Sequence, residues 1–202
     1  MYFGILSERV KAVDGNMPET VRVYWDRGVS VPRRRAETHK GDYGKLLLVG
    51  GSVGYTGAPN LCARSAVRSG AGLVYLGVPE AIWNVCAVKN DEAMPFPLPC
   101  DASGKLTADA LSPLREYYDR CGVLALGPGL GRSEELTRLV QAVLSVCRVP
   151  LVLDADGINA AAPHIDVLRG CACPVVLTPH DGEFLRLGGD PKADDRTRET
   201  MR

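Results

Sequence analysis

Short apolar runs recur along the chain from Lys45 onward and predict the strands of a sheet. They lie at residues 46–50, 73–78, 122–126, 150–154 and 174–178. Most of their positions are apolar, with little alternation of apolar and polar residues. This pattern is typical of strands that are covered on both faces, as in parallel sheets.

Stretches with helical spacing follow four of these runs. The longer ones are residues 59–69, which Gly70 ends, and residues 133–147; shorter helices are predicted after Asp154 and after Asp181. Strands that alternate with helices predict an α/β fold, in which a central and mostly parallel sheet is flanked by crossover helices.

Two segments interrupt this alternation. Residues 1–37 carry no readable pattern, and we interpret them as a leader or as the remnant of an upstream segment. Residues 89–112 are rich in proline and contain the turn sequence DASG, so we expect a long surface connection that departs from the sheet.

Composition and charge narrow the classes of partner. The 24 basic and 24 acidic residues cancel, so nothing favours nucleic acid or an anionic membrane, and a small-molecule ligand is expected. The seven cysteines stand mostly among apolar neighbours, and no signal or membrane segment is evident. We therefore expect reduced thiols and a cytoplasmic location. The spacing of Cys171 and Cys173 suits neither a redox pair nor a zinc site, so no metal-binding site is predicted.

Four loops that follow predicted strands are rich in glycine, histidine or carboxylates. They read GGSVGYTGAP at 50–59, GPGLGRSEE at 127–135, DADGIN at 154–159 and TPHDGEF at 178–184. In an open α/β sheet, the loops at the carboxyl ends of the strands gather at one edge, where ligands bind. We therefore expect a ligand site at this edge.

The glycines of the first two loops admit two interpretations. Gly57 precedes a helix start at Ala58, which leaves backbone amides open to an anion or a carbonyl group. Gly127, Gly129 and Gly131 would let a ligand lie close to the backbone. In both loops a tight turn without a ligand remains the alternative.

The polar side chains of the other two loops also admit more than one role. Asp154 and Asp156 could bind a metal-bound phosphate, accept from a hydroxyl group or cap a helix. Asn159 could form hydrogen bonds in the pocket or stabilise a turn. His180 is the histidine with ligand-type neighbours, whereas His164 lies in a stretch expected at the surface. A purely structural role for His180 is the alternative.

Taken together, four motifs resemble the NAD(P)H-hydrate dehydratase family, which is the carboxyl-terminal half of the bifunctional hydrate-repair proteins. The motifs are HKGDYGKLLLVGGSVGYTGAPNLCARSAVRSGAGLVYLGVPE, ALGPGLG, PLVLDADGIN and LTPHDGEF, and the resemblance covers about residues 38–188. It implies a ribokinase-like fold and the dehydration of NADHX and NADPHX to NADH and NADPH.

The resemblance also implies a cofactor and substrate contacts. Phosphorylation by ADP, or by ATP in some members, with Mg²⁺ would release AMP and phosphate in the ADP case, and similarity to the bacterial type favours ADP. Gly57, Ala58, Gly129 and His180 would contact the hydrated dinucleotide. Gly127, Gly131, Asp154, Asp156 and Asn159 are possible further residues of the pocket.

The chain departs from the family pattern in two places. Asp181 stands where the family usually has proline. The lysine-containing segment for the ADP phosphates and the presumed catalytic aspartate would follow Arg202, so residues 38–202 resemble roughly the amino-terminal two-thirds of a domain truncated at its carboxyl-terminal end. We expect no catalytic residue in this chain, no activity of the chain alone, and a homo-oligomer for the full-length protein. The alternatives are a ribokinase-like kinase of a small metabolite and a non-catalytic nucleotide-binding fragment.

Overall fold

The computed structural model describes residues 34–192. Contacts divide the chain into two units, Met1–His39 and Lys40–Arg202. Of the first unit only residues 34–39 are described, and they form no helix or strand. The segment interpreted as a leader, residues 1–37, therefore lies almost entirely outside the described residues.

The described part of the second unit is built on one six-stranded parallel sheet. Its strands are β1 Lys45–Val49, β2 Leu73–Pro79, β3 Met94–Leu98, β4 Val123–Leu126, β5 Leu151–Leu153 and β6 Val175–Leu177. They are ordered β3-β2-β1-β4-β5-β6. The chain thus winds outward from β1 in one direction and from β4 in the other, and the strand order reverses between these two neighbours. The prediction of an α/β fold with a largely parallel sheet is confirmed.

Helices cover both faces of the sheet. They are α1 Gly57–Arg68, α2 Glu80–Lys89, α3 Leu111–Tyr118, α4 Glu134–Val146, α5 Asp156–Ala161, α6 Ile165–Arg169 and α7 Asp181–Arg186, with 3-10 turns at Lys40–Tyr43, Ala108–Ala110 and Ala162–His164. Alternate residues of a strand point to opposite faces. Leu47 and Val49 accordingly join the core cluster that includes residues of α3 and α4, whereas Leu48 joins the cluster that includes residues of α1 and α2.

The prediction that residues 89–112 form a surface connection outside the sheet was wrong. This segment contains β3, which pairs in parallel with β2 at the edge of the sheet. Pro95 and Pro97 are two residues apart, so their missing N–H groups both fall on the same side of the strand. An edge strand tolerates this because only its other side needs donors for the ladder. Leu98 and Leu106 are fully buried, which shows that the segment belongs to the core.

The DASG sequence does form the turn that was predicted, within a small hairpin. Cys100 and Leu106 pair in an antiparallel bridge, and Asp101 Oδ1 accepts hydrogen bonds from the backbone N–H groups of Ser103 and Lys105 at 2.8 and 3.1 Å. We call residues 100–106 the DASG hairpin. It returns the chain from the edge strand towards the loop that follows β1.

Candidate functional site

The site forms where the strand order reverses, between the loops that follow β1 and β4. The Gly51 N–H donates to the Pro128 carbonyl oxygen at 2.9 Å, and the Gly127 N–H donates to that of Val49 at 3.1 Å. The Ser52 hydroxyl, which is buried, donates to the Gly129 carbonyl oxygen at 2.8 Å. The two glycine-rich loops are therefore joined into one surface at the carboxyl edge of the sheet.

Three glycines of the second loop are required by the backbone itself. Gly127, Gly129 and Gly131 have φ values of 141, 72 and 76°, which side-chain-bearing residues rarely adopt. A Cβ at Gly127 would collide with the Asp154 carbonyl oxygen, and one at Gly129 would lie 3.2 Å from Cβ of Ala58. The tight-turn interpretation thus has direct support, and the same turn brings Gly129 next to Ala58, its expected partner in substrate binding.

Gly57 differs from these glycines. It is the first residue of α1, it is exposed, and a Cβ placed there would have no described atom within 4 Å. The preceding Thr56 makes no capping hydrogen bond with its side chain, and the first turn of α1 carries no acidic residue. The backbone N–H groups of Gly57 and Ala58 at the start of this twelve-residue helix thus have no side-chain cap, as binding of an anion or a carbonyl group would require, and Pro59 contributes no N–H.

The carboxylates after β5 connect the loops to one another. Asp156 Oδ2 accepts from the Gly131 N–H at 2.9 Å, and Oδ1 accepts from the Asn159 amide at 3.3 Å. Asp154 Oδ1 accepts from the Thr178 hydroxyl at 2.7 Å, which ties the end of β5 to the residue after β6. Ala155, between the two carboxylates, has φ 48° and ψ −120°. A strained non-glycine backbone of this kind persists where its surroundings hold it in place, which is common at functional sites.

His180 is held by hydrogen bonds at both ring nitrogens. Its Nδ1 accepts from the Gly182 N–H at 3.0 Å, which caps α7, and its Nε2 lies 3.2 Å from Oε1 of Glu183. The buried Glu183 carboxylate also accepts from the backbone N–H of His180 at 3.0 Å. These partners assign the neutral tautomer that carries the proton on Nε2. The structural role that was the alternative for His180 is therefore present, while the ring itself remains largely exposed.

His180 is connected to the rest of the site through α7. The Arg186 guanidinium on this helix donates to the side-chain Oδ1 of Asn159 at 2.9 Å. Among the described residues, no hydrogen bond or ion pair joins His180 directly to the glycine-rich loops. The structure thus brings together Ala58, Gly127, Gly129, Gly131, Asp154, Asp156 and Asn159, and it connects the helix that His180 caps to Asn159 through Arg186. That these residues bind a ligand remains a prediction.

The site offers no thiolate nucleophile near Asp154. Burial, and to a lesser extent the Asp154 carboxylate, raises the pKa of the Cys62 thiol on α1. A thiol whose pKa is raised stays protonated near neutral pH and is a poor nucleophile. Cys62 is therefore excluded as a covalent catalyst.

Metal binding by protein groups alone has little support in the described part of the chain. Residues 34–192 contain no group of three or more histidine, cysteine or acidic side chains that would hold an ion. Magnesium is commonly held by one or two carboxylates together with substrate phosphates. Asp154 and Asp156 suit such an arrangement, in which a nucleotide supplies the remaining oxygen ligands. Within the described helices, none has the length and apolar character needed to cross a membrane.

Four residues of this edge escaped the sequence analysis. They are Ser52, Lys105, Thr178 and Glu183. Ser52 and Thr178 stand inside motifs that were recognised, but nothing in a linear sequence shows that a hydroxyl group bridges two loops. Lys105 lies in the segment that was interpreted as a surface connection. Glu183 stands three residues after His180, and this spacing is the signature of a capping box, which was the one available signal.

Comparisons with known proteins agree with this architecture. A family model described as NAD(P)H-hydrate dehydratase matches residues 46–202. The bifunctional NAD(P)H-hydrate repair enzyme of Moorella thermoacetica is 47% identical over 169 residues, which are 84% of this chain and 32% of that protein. The chain spans about a third of the length of the bifunctional relatives that it matches.

Two solved structures share the fold. A ribokinase-like superfamily protein from Enterococcus faecalis aligns with a TM-score of 0.62 at 23% identity, over 77% of this chain and 51% of that one. An ADP/ATP-dependent NAD(P)H-hydrate dehydratase from Bacillus subtilis, co-crystallised with ATP and Mg²⁺, aligns with a TM-score of 0.56 at 30% identity, over 79% of this chain and 53% of that one. The fold is therefore ribokinase-like, as the resemblance implied.

Proposed function

Because the chain belongs to the NAD(P)H-hydrate dehydratase family, we propose that it acts in the dehydration of NADHX and NADPHX to NADH and NADPH. One observation carries this proposal. The glycine-rich loops after β1 and β4 are joined by the Ser52–Gly129 hydrogen bond at the point where the strand order reverses. Ligands of open α/β sheets bind in this crevice.

The reaction requires that two nucleotides meet at this edge. The hydroxyl group of the hydrate is a poor leaving group, and its phosphorylation produces a good one, whose elimination restores the dihydropyridine ring. Catalysis of such a transfer consists mainly of holding the acceptor in line with the phosphoryl group. We assign the hydrated dinucleotide to the surface formed by Gly57, Ala58 and Gly129, with His180 beside it as a positioning group.

The phosphoryl donor is proposed to be ADP, and ATP is the alternative. The Bacillus subtilis structure was obtained with ATP and Mg²⁺, so the family site accepts a nucleotide with a metal ion. A magnesium ion bound with the nucleotide would neutralise charge on the transferred phosphate. In this chain we assign Asp154 and Asp156 as the carboxylates that would contact such an ion.

Neither of these carboxylates is assigned as the general base. Asp156 accepts hydrogen bonds at both oxygens, from Gly131 and Asn159, and Asp154 accepts one from Thr178. These hydrogen bonds hold the loops in place. The expectation that an aspartate following Arg202 is the base stays a prediction.

The proposal is tested by turnover of NADHX with ADP or with ATP, followed by the absorbance of the restored reduced nicotinamide. Both the 202-residue chain and any longer product that its gene encodes are assayed, with reactions lacking nucleotide as the control. We expect nucleotide-dependent repair by the longest product, with AMP and phosphate formed when ADP is the donor. A phosphorylated product that persists without restored NADH would contradict the proposal and favour the small-metabolite kinase.

A further inference from the structure

The DASG hairpin is attached to the glycine-rich loop that follows β1. The Val53 N–H donates to the Gly104 carbonyl oxygen at 3.3 Å. Gly104 has φ 73°, and a Cβ at this position would collide with the Val53 side chain. The hairpin therefore lies directly against the loop of the proposed site, although it follows the strand at the far edge of the sheet.

The hairpin is held rigidly from within. Asp101 Oδ1 accepts from Ser103 Oγ at 2.7 Å and from the backbone N–H groups of Ser103 and Lys105. The Asp101 N–H in turn donates to the Lys105 carbonyl oxygen at 2.8 Å. The N–H and carbonyl groups of Lys105 are thus both hydrogen-bonded to Asp101, which limits the positions that the Lys105 side chain can reach.

The side chain of Lys105 extends over the second glycine-rich loop. A Cβ at Gly131 would lie 3.5 Å from Lys105 Cε, 3.7 Å from Lys105 Cδ and 3.6 Å from Ser52 Oγ. These are ordinary van der Waals distances, so the lysine stem lies close to the Gly131 backbone. Among the described residues, no hydrogen bond or ion pair within 4 Å involves the Lys105 ammonium group, and residue 105 is half-buried. Its charge does act on the Asp101 carboxyl of the same hairpin: hydrogen bonds from Ser103 and Lys105 lower the pKa of Asp101, and the Lys105 charge adds to this effect.

The loops around the Lys105 ammonium group carry several carboxylates, which would repel an anionic ligand. The loops after β5 and β6 contribute four carboxylates, from Asp154, Asp156, Asp181 and Glu183. The N-terminus of α4 does not offset this negative charge, because Ser133 already caps the helix and Glu134 and Glu135 stand in its first turn. The exposed Arg132 directly follows the Gly127–Gly131 turn, and Lys105, whose stem contacts Gly131, is a second cation beside an anionic ligand on this turn.

We propose that Lys105 binds a phosphate group of the nucleotide ligand that lies on the Gly127–Gly131 turn. This inference rests on the proposed function, because it takes the ligand to be NADHX, NADPHX or the ADP that phosphorylates them. Lysine is a point charge on a flexible stem and pairs with phosphate oxygens without demanding one fixed geometry. Lys105 is a binding residue in this account and takes no part in proton transfer.

The test compares Lys105→Met, Lys105→Arg and Lys89→Met with the unchanged 202-residue chain. Methionine keeps most of the stem over Gly131 and removes the charge, whereas arginine keeps the charge. Lys89 is an exposed lysine in the last turn of α2 and serves as the matched control. Affinities for three probes, NADH, ADP and inorganic pyrophosphate, are measured by calorimetric titration at low and at moderate salt.

We expect Lys105→Met to lower the affinity for at least one probe about fivefold or more at low salt, with a smaller difference in affinity at moderate salt. Lys105→Arg restores most of the affinity, and Lys89→Met leaves it unchanged. If the affinity for NADH falls and that for ADP does not, Lys105 contacts a phosphate of the dinucleotide. The reverse result assigns the contact to a phosphate of the phosphoryl donor. If Lys105→Met does not fold, Lys105→Gln is measured in its place.

Several results would overturn the inference. If the unchanged chain binds NADH or ADP and loss of the Lys105 charge has no effect, the inference fails while the proposed function stands. If Lys89→Met weakens binding as much as Lys105→Met, the effect is general electrostatics and the inference also fails. If the chain binds none of the three probes, the inference fails, and the proposed function is decided by the turnover assay. Binding of pyrophosphate alone that depends on Lys105 supports the phosphate site and counts against the proposed function of this chain.

Discussion

At the scale of single residues, the glycines of the site divide into those that the backbone requires and those that it does not. Gly127 and Gly129 combine positive φ with close neighbours, so any side chain there strains the fold. Gly57 has neither constraint, because it starts α1 with open space around it. The effect of a methyl group at Gly57 therefore reports on ligand space alone.

We expect Gly57→Ala to keep the free energy of unfolding and to weaken NADHX binding about fivefold or more, which corresponds to about 1 kcal/mol. The methyl group would occupy the space over the exposed amides of α1. Gly127→Ala, by contrast, should lower the free energy of unfolding by about 2–4 kcal/mol, because its Cβ meets the Asp154 carbonyl oxygen. Urea unfolding and calorimetric titration measure the two effects. Unchanged affinity in Gly57→Ala would leave Gly57 as a plain helix start.

His180→Ala is expected to act on both stability and binding. The variant loses the cap on α7 and leaves Oε1 of Glu183 without its donor, which costs about 1–2 kcal/mol. If His180 also positions the hydrated dinucleotide, affinity per folded molecule falls as well. His164→Ala is the matched control, since His164 is exposed at the end of the Ala162–His164 turn. Equal losses in the two variants, or intact affinity in folded His180→Ala, would remove His180 from the site.

At the scale of elements, α4 shows how a local signal in the sequence supports the core. The Ser133 hydroxyl accepts from the Leu136 N–H at 3.0 Å and begins the helix, and Leu136, Leu139 and Val143 on its inner face are buried. The helix also follows directly from the glycine turn of the site. Loss of its cap should therefore affect global stability more than loss of a hydroxyl group on its outer face.

Ser133→Ala should lower the free energy of unfolding by about 1 kcal/mol, because the Leu136 N–H in the first turn loses its side-chain acceptor. Ser145→Ala removes an exposed hydroxyl near the other end of the same helix, where it donates to the Ala142 carbonyl oxygen. We expect a change below about 0.5 kcal/mol there. Urea unfolding of both variants tests this, and equal costs would mean that the cap contributes nothing specific.

The elements that sequence patterns predicted are those with one buried side or a clear run of apolar residues. The prediction for α4, residues 133–147, differs from its observed bounds by one residue at each end. The sequence patterns did not predict β3 and α2, and the physical reason differs between the two elements. Pro95 and Pro97 hide an edge strand, whereas α2 buries Ile82 and Cys86 but also exposes Val85 and Val88, so its apolar residues show no single face.

The composition of the site was predictable, and its internal connections were not. Loops at the carboxyl ends of parallel strands must share an edge, so the gathering of Gly57, Gly129, Asp156 and His180 near one another followed from the topology. The Ser52–Gly129 and Thr178–Asp154 hydrogen bonds join residues far apart in the sequence. They depend on the strand order, which periodicity does not reveal.

At the scale of the whole molecule, buried thiols couple stability to alkaline pH. Burial raises the pKa of Cys121 to about 11 and that of Cys173 to about 12. Burial likewise raises the pKa of Tyr118. The unfolded chain would lose these protons at lower pH than the folded protein does. Above the ordinary thiol pKa the folded state thus binds more protons, so the free energy of unfolding falls as pH rises.

We expect the free energy of unfolding to be nearly constant between about pH 7 and pH 8, as far as these groups are concerned, and to fall towards about pH 11. Urea unfolding at a series of pH values measures this slope. The double variant Cys121→Ala, Cys173→Ala should show a shallower decline, whatever its stability at neutral pH. A decline of the same steepness in the variant would mean that other groups cause it.

The location of the ligand at the carboxyl edge of the sheet is tested most directly by backbone hydrogen exchange with and without NADHX. Exchange of a backbone amide slows where a ligand covers it or holds its loop closed. The account predicts slower exchange within residues 50–58, 127–131 and 178–182, and unchanged exchange at the opposite edge, within residues 69–72, 119–122 and 147–150. Protection confined to the opposite edge, or absent from the glycine-rich loops while NADHX is bound, would contradict it.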